Sequence, residues 1–291
     1  MAQPRPPFLP LHGRLYLVFF TRLDLPTLFA CRRLSHTYKA LVDAFIACRY
    51  HPSIVLSKFF SVDYLYTAFR VVQRRSGAIV SGSSALQLVS RSQFPRRDLD
   101  VYVNIHNDIS TMLTFLTATI KYAYVPRPGQ ALNATREVTA TRMRVNASSI
   151  HHYDANGLLG VMDFISEGRK VQLILCDGDP RACVLNFHST AVMNYIEWDR
   201  VVCLYPRSTV LDRVNIPARF PAPFYIAMLE KYAARGWTPL LGPDALERMT
   251  SGELADGQIR SMYDRYCWVI PIPVTWQQET SEYDALSITS A

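Results

Sequence analysis

Two strand-like runs joined through a Gly-Ser turn, the second carrying two carboxylates, constrain the fold of this chain more than any other feature. Ile79-Val80-Ser81 is apolar and β-prone and leads straight into Gly82-Ser83. Ala85-Leu86-Gln87-Leu88-Val89 then predicts a short helix, and Asp98-Leu99-Asp100-Val101-Tyr102-Val103 predicts a second strand. Residues two apart on a strand share a face, so Asp98 and Asp100 project together while Leu99, Val101 and Val103 turn to a core. Two like charges so close repel, and such a pair calls for a cation or a basic partner.

The chemistry follows from those residue types. A glycine turn lets backbone approach an anion, and N–H groups opening the next helix favour phosphate. Ser83 adds a hydroxyl donor. Paired carboxylates clamp a hard cation such as magnesium, which bridges phosphate oxygens. Taken alone, Asp98-Leu99-Asp100 also fits a strand end with two exposed acids beside Arg96 and Arg97. The Gly-Ser turn, the helix signal and the flanking strands together favour a site.

This arrangement resembles the nucleotidyltransferase superfamily, the fold shared by DNA polymerase beta, poly(A) polymerases and CCA-adding enzymes. The pattern of that family is an apolar strand, Gly-Gly or Gly-Ser, a spacer, then Asp-apolar-Asp-apolar. Gly82-Ser83 and Asp98-Leu99-Asp100-Val101 fill it over roughly residues 76–180, with a long spacer. The resemblance implies Mg2+ held by Asp98 and Asp100, and a nucleoside triphosphate whose phosphates lie on Gly82, Ser83 and Ser84. Active members carry a third acid, commonly a general base, on the second strand of a later hairpin.

In this chain that strand is Lys170-Val171-Gln172-Leu173-Ile174-Leu175, and the acid position falls on Gln172. Glutamine cannot take a proton at neutral pH and ligates poorly beside carboxylate. If Glu167-Gly168 is a two-residue turn, Ser166 pairs with Arg169 and Asp163 falls opposite Gln172 on one face. A slip of one residue would send Asp163 into the core. Asp163 is therefore expected to face the pocket and to be the candidate third carboxylate beside Asp98 and Asp100.

The expected fold class is α+β: a nucleotidyltransferase-like mixed sheet with helices on one face, plus N-terminal and C-terminal helical parts. The expected divisions are a helical region over 1–75, the core over 76–185, a mostly helical region over 186–276 and a flexible tail over 277–291. With 291 residues, 49% hydrophobic and 19% charged, the chain has length and composition for two globular domains. A net charge of +7 suits a phosphate-bearing partner, a nucleotide first and nucleic acid as an unsupported option. The six cysteines form no Cys-x-x-Cys pair and read as buried free thiols in a reducing compartment. The apolar run Leu15–Phe20 is too short to span a bilayer and follows a Pro-rich start. No membrane association is expected, and the cytoplasm or nucleus is the expected location.

Leu28, Cys31, Leu34, Tyr38, Leu41 and Phe45 recur at helical spacing behind Pro26. A second helix is expected from Ser57, ending at Gly77. The stretch from Leu23-Asp24-Leu25-Pro26 through Val42 resembles a degenerate F-box, a helical module that docks onto an SCF ubiquitin ligase. That likeness implies a ubiquitin-ligase component as partner, and an inactive scaffold or adaptor as the alternative function. The combined layout also resembles a group of proteins from mushroom-forming fungi, which implies an architecture and no activity.

Ile109, Met112, Leu113, Leu116 and Ile120 predict a helix capped by Asn107 or Asp108, and Tyr122–Val125 a strand. Residues 126–157 read as a long polar loop whose arginines, Arg127, Arg136, Arg142 and Arg144, are solvated. Asp177-Gly178-Asp179-Pro180 reads as a turn rather than a cation loop. Ser189 or Thr190 reads as the cap of a helix over Ser189–Tyr195, in preference to a His188–Ser189 nucleophile pair. Lys231 and Arg235, four apart on a helix over 224–236, could reach phosphates, although a solvated face is the plainer reading.

Overall fold

A computed structural model describes residues 11–60, 62–94, 98–147, 157–217, 223–242, 245 and 261–272. The chain divides into two compact units, Met1–His51 and Pro52–Ala291. The division falls well before the expected 75/76 boundary. The tail over 277–291 and His151-His152 lie outside the described residues.

The first unit is helical: α1 (Leu11–Thr21), α2 (Leu25–Arg32) and α3 (His36–Arg49). The expected continuous helix breaks at Ser35 because that side chain caps α3, accepting from Tyr38 N–H at 3.2 Å. Asp24 caps α2 in the same way, with Pro26 in its first turn. Phe20 and Phe45 meet edge to face at 5.6 Å in the core of this unit.

The second unit begins with α4 (Ser53–Leu56) and α5 (Asp63–Ser76). The latter starts later than expected, because Phe59 and Phe60 turn tightly onto the carbonyl of Leu56. It is fastened to the sheet by buried polar side chains. Arg70 donates to the carbonyls of Glu197 and Trp198 at 2.6 and 2.7 Å, and Gln73 donates to that of Ile196 at 2.8 Å. These bonds are why α5 belongs with the sheet and not with the first unit.

β1 (Ile79–Ser81), α6 (Gly82–Ser90) and β2 (Leu99–Asn104) follow as the alternation predicts. Next come α7 (Ser110–Thr114), which continues into a π-helical turn over Phe115–Thr119, and β3 (Ala123–Val125). Asp108 accepts from Ser110 N–H at 2.9 Å ahead of α7. The expected loop over 126–157 instead contains α8 (Ala134–Ala147). Its buried face includes Glu137 and Thr141 beside Ala134 and Val138, so it lacks an apolar stripe in the sequence. Glu137 is offset there by Arg144 at 2.8 Å.

The hairpin β4 (Leu158–Ser166) and β5 (Arg169–Cys176) has the expected register, with Ser166 opposite Arg169 and Asp163 opposite Gln172. Glu167 and Gly168 both take positive φ, +48° and +74°, as a two-residue turn between right-twisted strands requires. After α9 (Pro180–Leu185) the region expected to be mostly helical supplies strands. These are β6 (Asn194–Ile196), β7 (Arg200–Cys203), β8 (Val214–Asn215), β9 (Thr238–Pro239) and β10 (Trp268–Pro271), with α10 (Pro223–Ala233) between the middle ones; of these, β7 is the strand that the apolar run Val201–Tyr205 predicts. The runs Val201-Val202-Cys203 and Trp268-Val269-Ile270 pair with each other across a long stretch of chain.

The main sheet has the order β10-β7-β6-β1-β2-β5-β4-β3, and β8 and β9 form a separate pair. Only β2 and β5 run parallel in it; the remaining pairs are antiparallel. The unit is therefore mixed α+β. Leu99, Val101, Val171 and Leu173 are fully buried on one face of the central strands. On the opposite face the Tyr102 ring packs against Phe187 at 5.6 Å, beyond the carboxylates. Among the described residues no helix is long and apolar enough to cross a membrane.

Candidate functional site

The register lines up one row of side chains on one face of the sheet. Ser81 pairs with Asp100, Asp100 with Gln172, Gln172 with Asp163, and Asp163 with Val125. Paired residues on neighbouring strands share a face. Gln172 is thus the direct neighbour of Asp100. Asp98 precedes β2 by one residue and falls beside Lys170, because Leu99 pairs with Val171.

Gly82 shapes the start of this row. Its φ is +66°, and a Cβ there would overlap the Asp100 carboxylate. Ser81 opens the helix from an extended conformation and spends its hydroxyl on the carbonyl of Asn194 at 2.6 Å. Every residue of α6 is buried. Ser83 is 7% exposed, while Ser84 is fully buried and its Oγ has no hydrogen-bond partner among the described residues. Of the three residues expected to meet phosphates, Ser84 is thus an interior group.

Asp100 has neither a hydrogen bond nor an ion pair among the described residues. Burial, and then the charge of Asp98, push its pKa up to about 7, against the opposing pull of Lys231 and Lys170. Asp98 is more open and is held by Lys170 Nζ at 2.7 Å. Asp163 is fully committed: Arg127 donates to both of its oxygens at 2.9 Å, and Gln172 Nε2 donates at 2.7 Å. Burial works to raise its pKa, but those donors prevail and hold it below the usual carboxylate range. Arg127, expected to be solvated, is in fact its partner.

Asp163 lies two strands from Asp100, about 10 Å at the usual spacing. The expected pairing with Gln172 is present, but Asp163 does not join Asp98 and Asp100 in one group. Among the described residues no cluster of three or more His, Cys, Asp or Glu side chains could hold a metal ion. Two carboxylates suffice for the way magnesium is usually held, with waters and substrate phosphates completing the shell. Asp98 and Asp100 fit that partial donor set, and the missing Cβ of Gly82 makes room for the Asp100 carboxylate itself.

α10 brings a cation to the same place. Burial and the neighbouring Arg235 lower the pKa of Lys231, while Asp100 and Asp98 act to raise it. Arg235 stacks over Phe94 at 4.5 Å and Tyr232 at 5.4 Å, and its buried Nη1 has no hydrogen-bond partner among the described residues. The helix expected over 224–236 ends at Ala233, so Arg235 lies in the turn beyond it rather than on one helix face with Lys231; the nearness of Lys231 to Asp100 is a tertiary fact. Lys170 was missed, although it stands two residues before Gln172 on the same face and the same register count reaches it.

Other candidates fall away. His188 Nδ1 and Ser189 Oγ lie 2.8 Å apart, but Ser189 is fully buried and cannot meet a substrate. Burial and Lys231 lower the His188 pKa to about 4. The helix expected over Ser189–Tyr195 is a single 3-10 turn, Thr190–Val192, followed by β6, with no side-chain cap. Thr190 Oγ1 instead accepts from Ile216 N–H at 3.0 Å. Asp179 caps α9 through Arg181 N–H, as a turn residue would, and Asp177 meets His106 at 2.6 Å. Cys176, Cys183 and Cys203 are buried, whereas Cys48 is exposed.

No family model, curated protein or solved structure matches this chain.

Proposed function

We propose that the unit over residues 52–291 binds a nucleoside triphosphate together with a divalent metal, and that any nucleotidyl transfer it carries out is slow. The observation that carries this reading is the seating of Gly82 directly against the Asp100 carboxylate at the start of α6, with no hydrogen bond or ion pair to that carboxylate among the described residues. The first N–H groups of α6 would receive phosphate oxygens, helped by Ser83. Asp98 and Asp100 would hold Mg2+, which neutralises polyphosphate charge and fixes its geometry. Lys231 would meet the far phosphates. Gln172 cannot act as general base, and Asp163 is occupied by Arg127, so assistance worth about 10²–10⁴-fold is missing.

Calorimetric titration with Mg2+ and each nucleoside triphosphate tests the reading on the full chain. Wild type should bind at least one nucleotide, and Asp98→Ala/Asp100→Ala should not. Absence of binding in wild type would favour the second reading, an adaptor that docks a protein partner. What supports that one is the separate compact helical unit, with Asp24 and Pro26 opening α2 and with Phe29 and Leu34 exposed. Direct binding of the full chain to the purified adaptor subunit of an SCF ubiquitin ligase, lost on Leu34→Asp, tests it.

A further inference from the structure

We propose that Lys170 is a built-in cation of this site, holding Asp98 until a divalent metal arrives with a polyphosphate and displaces it. The inference rests on the nucleotide-and-metal reading and names how metal entry is controlled. Lys170 Nζ stands 2.7 Å from Asp98 Oδ2, one of the two carboxylates that would hold the metal. The strand register fixes that placement, since Leu99 pairs with Val171 and so sets position 170 beside position 98. The same ammonium acts on Asp100 and on Asp163, so one lysine serves three carboxylates.

The pair is suited to exchange. Its side chains are 32% and 42% exposed, and a solvated ion pair of this kind is weak. Lysine carries its charge on a flexible four-carbon stem, so the ammonium can leave Asp98 without moving β5. A metal entering alone would break that pair and set a like charge against Lys170. A metal entering with a polyphosphate brings anionic oxygens for the displaced ammonium. Metal and polyphosphate should therefore strengthen each other's binding, by the same factor in each direction.

The test uses Mn2+ as probe, with protein-bound Mn2+ separated by ultrafiltration from the free ion and from Mn2+–tripolyphosphate and then quantified, with and without inorganic tripolyphosphate. Wild type should bind Mn2+ weakly alone and more tightly with tripolyphosphate. Lys170→Met should bind Mn2+ alone about tenfold more tightly, the scale of removing one nearby like charge from a partly solvated site. The further gain from tripolyphosphate should shrink in that variant. Lys170→Arg should behave as wild type, and Lys170→Met/Asp98→Asn should lose the gain. Matching thermal melts show that each variant is folded. A Lys170→Met protein that binds Mn2+ no better than wild type overturns the inference and leaves the site reading standing. Absence of Mn2+ binding in every variant, with and without tripolyphosphate, overturns the site reading itself.

Discussion

Gln172 stands beside Asp100 across the parallel β2–β5 pair and donates its amide to Asp163 at 2.7 Å on the other side. A neutral side chain thus separates two carboxylates on one face of the sheet. Gln172→Asp puts a proton acceptor next to Asp100. If the site binds a metal-nucleotide complex, this change should raise metal-dependent release of pyrophosphate by about 10²–10⁴-fold, the usual worth of a general base. Release unchanged from wild type, in a variant that still binds nucleotide, would count against the assigned geometry.

Gly82→Ala should both destabilise the protein and abolish nucleotide binding. The left-handed conformation at φ +66° costs any other residue roughly 1–2 kcal/mol. The new methyl group would also force the Asp100 carboxylate aside. The melting temperature and the calorimetric titration read the two effects separately. Unchanged behaviour in both would mean that the turn is not built as described.

Asp100 gives stability a definite pH slope. Its folded pKa of about 7 lies above its unfolded value, so the folded state holds the proton more tightly. Stability should therefore fall as pH rises from about 4 to about 7 and level off above that. The groups facing it are Asp98, Lys170 and Lys231. His188 contributes an opposite slope, because burial depresses its pKa and stability is lost as pH falls below its unfolded value. The comparison that isolates Asp100 is thus wild type against Asp100→Asn, both carrying His188. Urea midpoints at pH 5 and pH 8 should converge at the lower pH and separate at the higher, with Asp100→Asn the more stable. Magnesium affinity of wild type should rise over the same range.

The β4–β5 turn offers a gain. Glu167 is a non-glycine residue at φ +48°, and its exposed ion pair with Arg169 contributes little. Asparagine tolerates the left-handed region better. Glu167→Asn should stabilise the unit by up to about 1 kcal/mol, read as a melting temperature a few degrees higher. A lower melting temperature would show that the Arg169 contact outweighs the backbone term.

The sequence by itself determined the elements whose signals are local. Period-two alternation placed β1 and β2, Gly82 opened α6, and the Glu167-Gly168 turn set the pairing of Asp163 with Gln172 residue by residue. Such features depend on backbone preference and on neighbours a few positions away. Tertiary structure alone decided the rest. α8 is a helix although its buried face carries Glu137 and Thr141, because Arg144 offsets that acid. β6 joins β1, and β7, a strand that the apolar run Val201–Tyr205 predicts, finds β10, because short apolar runs meet partners far along the chain. The electrostatics of the site were decided there as well. Asp98 meets Lys170, Asp163 meets Arg127, and Lys231 comes near Asp100 from α10. A charge is weighed against whatever lies beside it in space, and for Arg127 and Lys231 chain order does not bring those neighbours together.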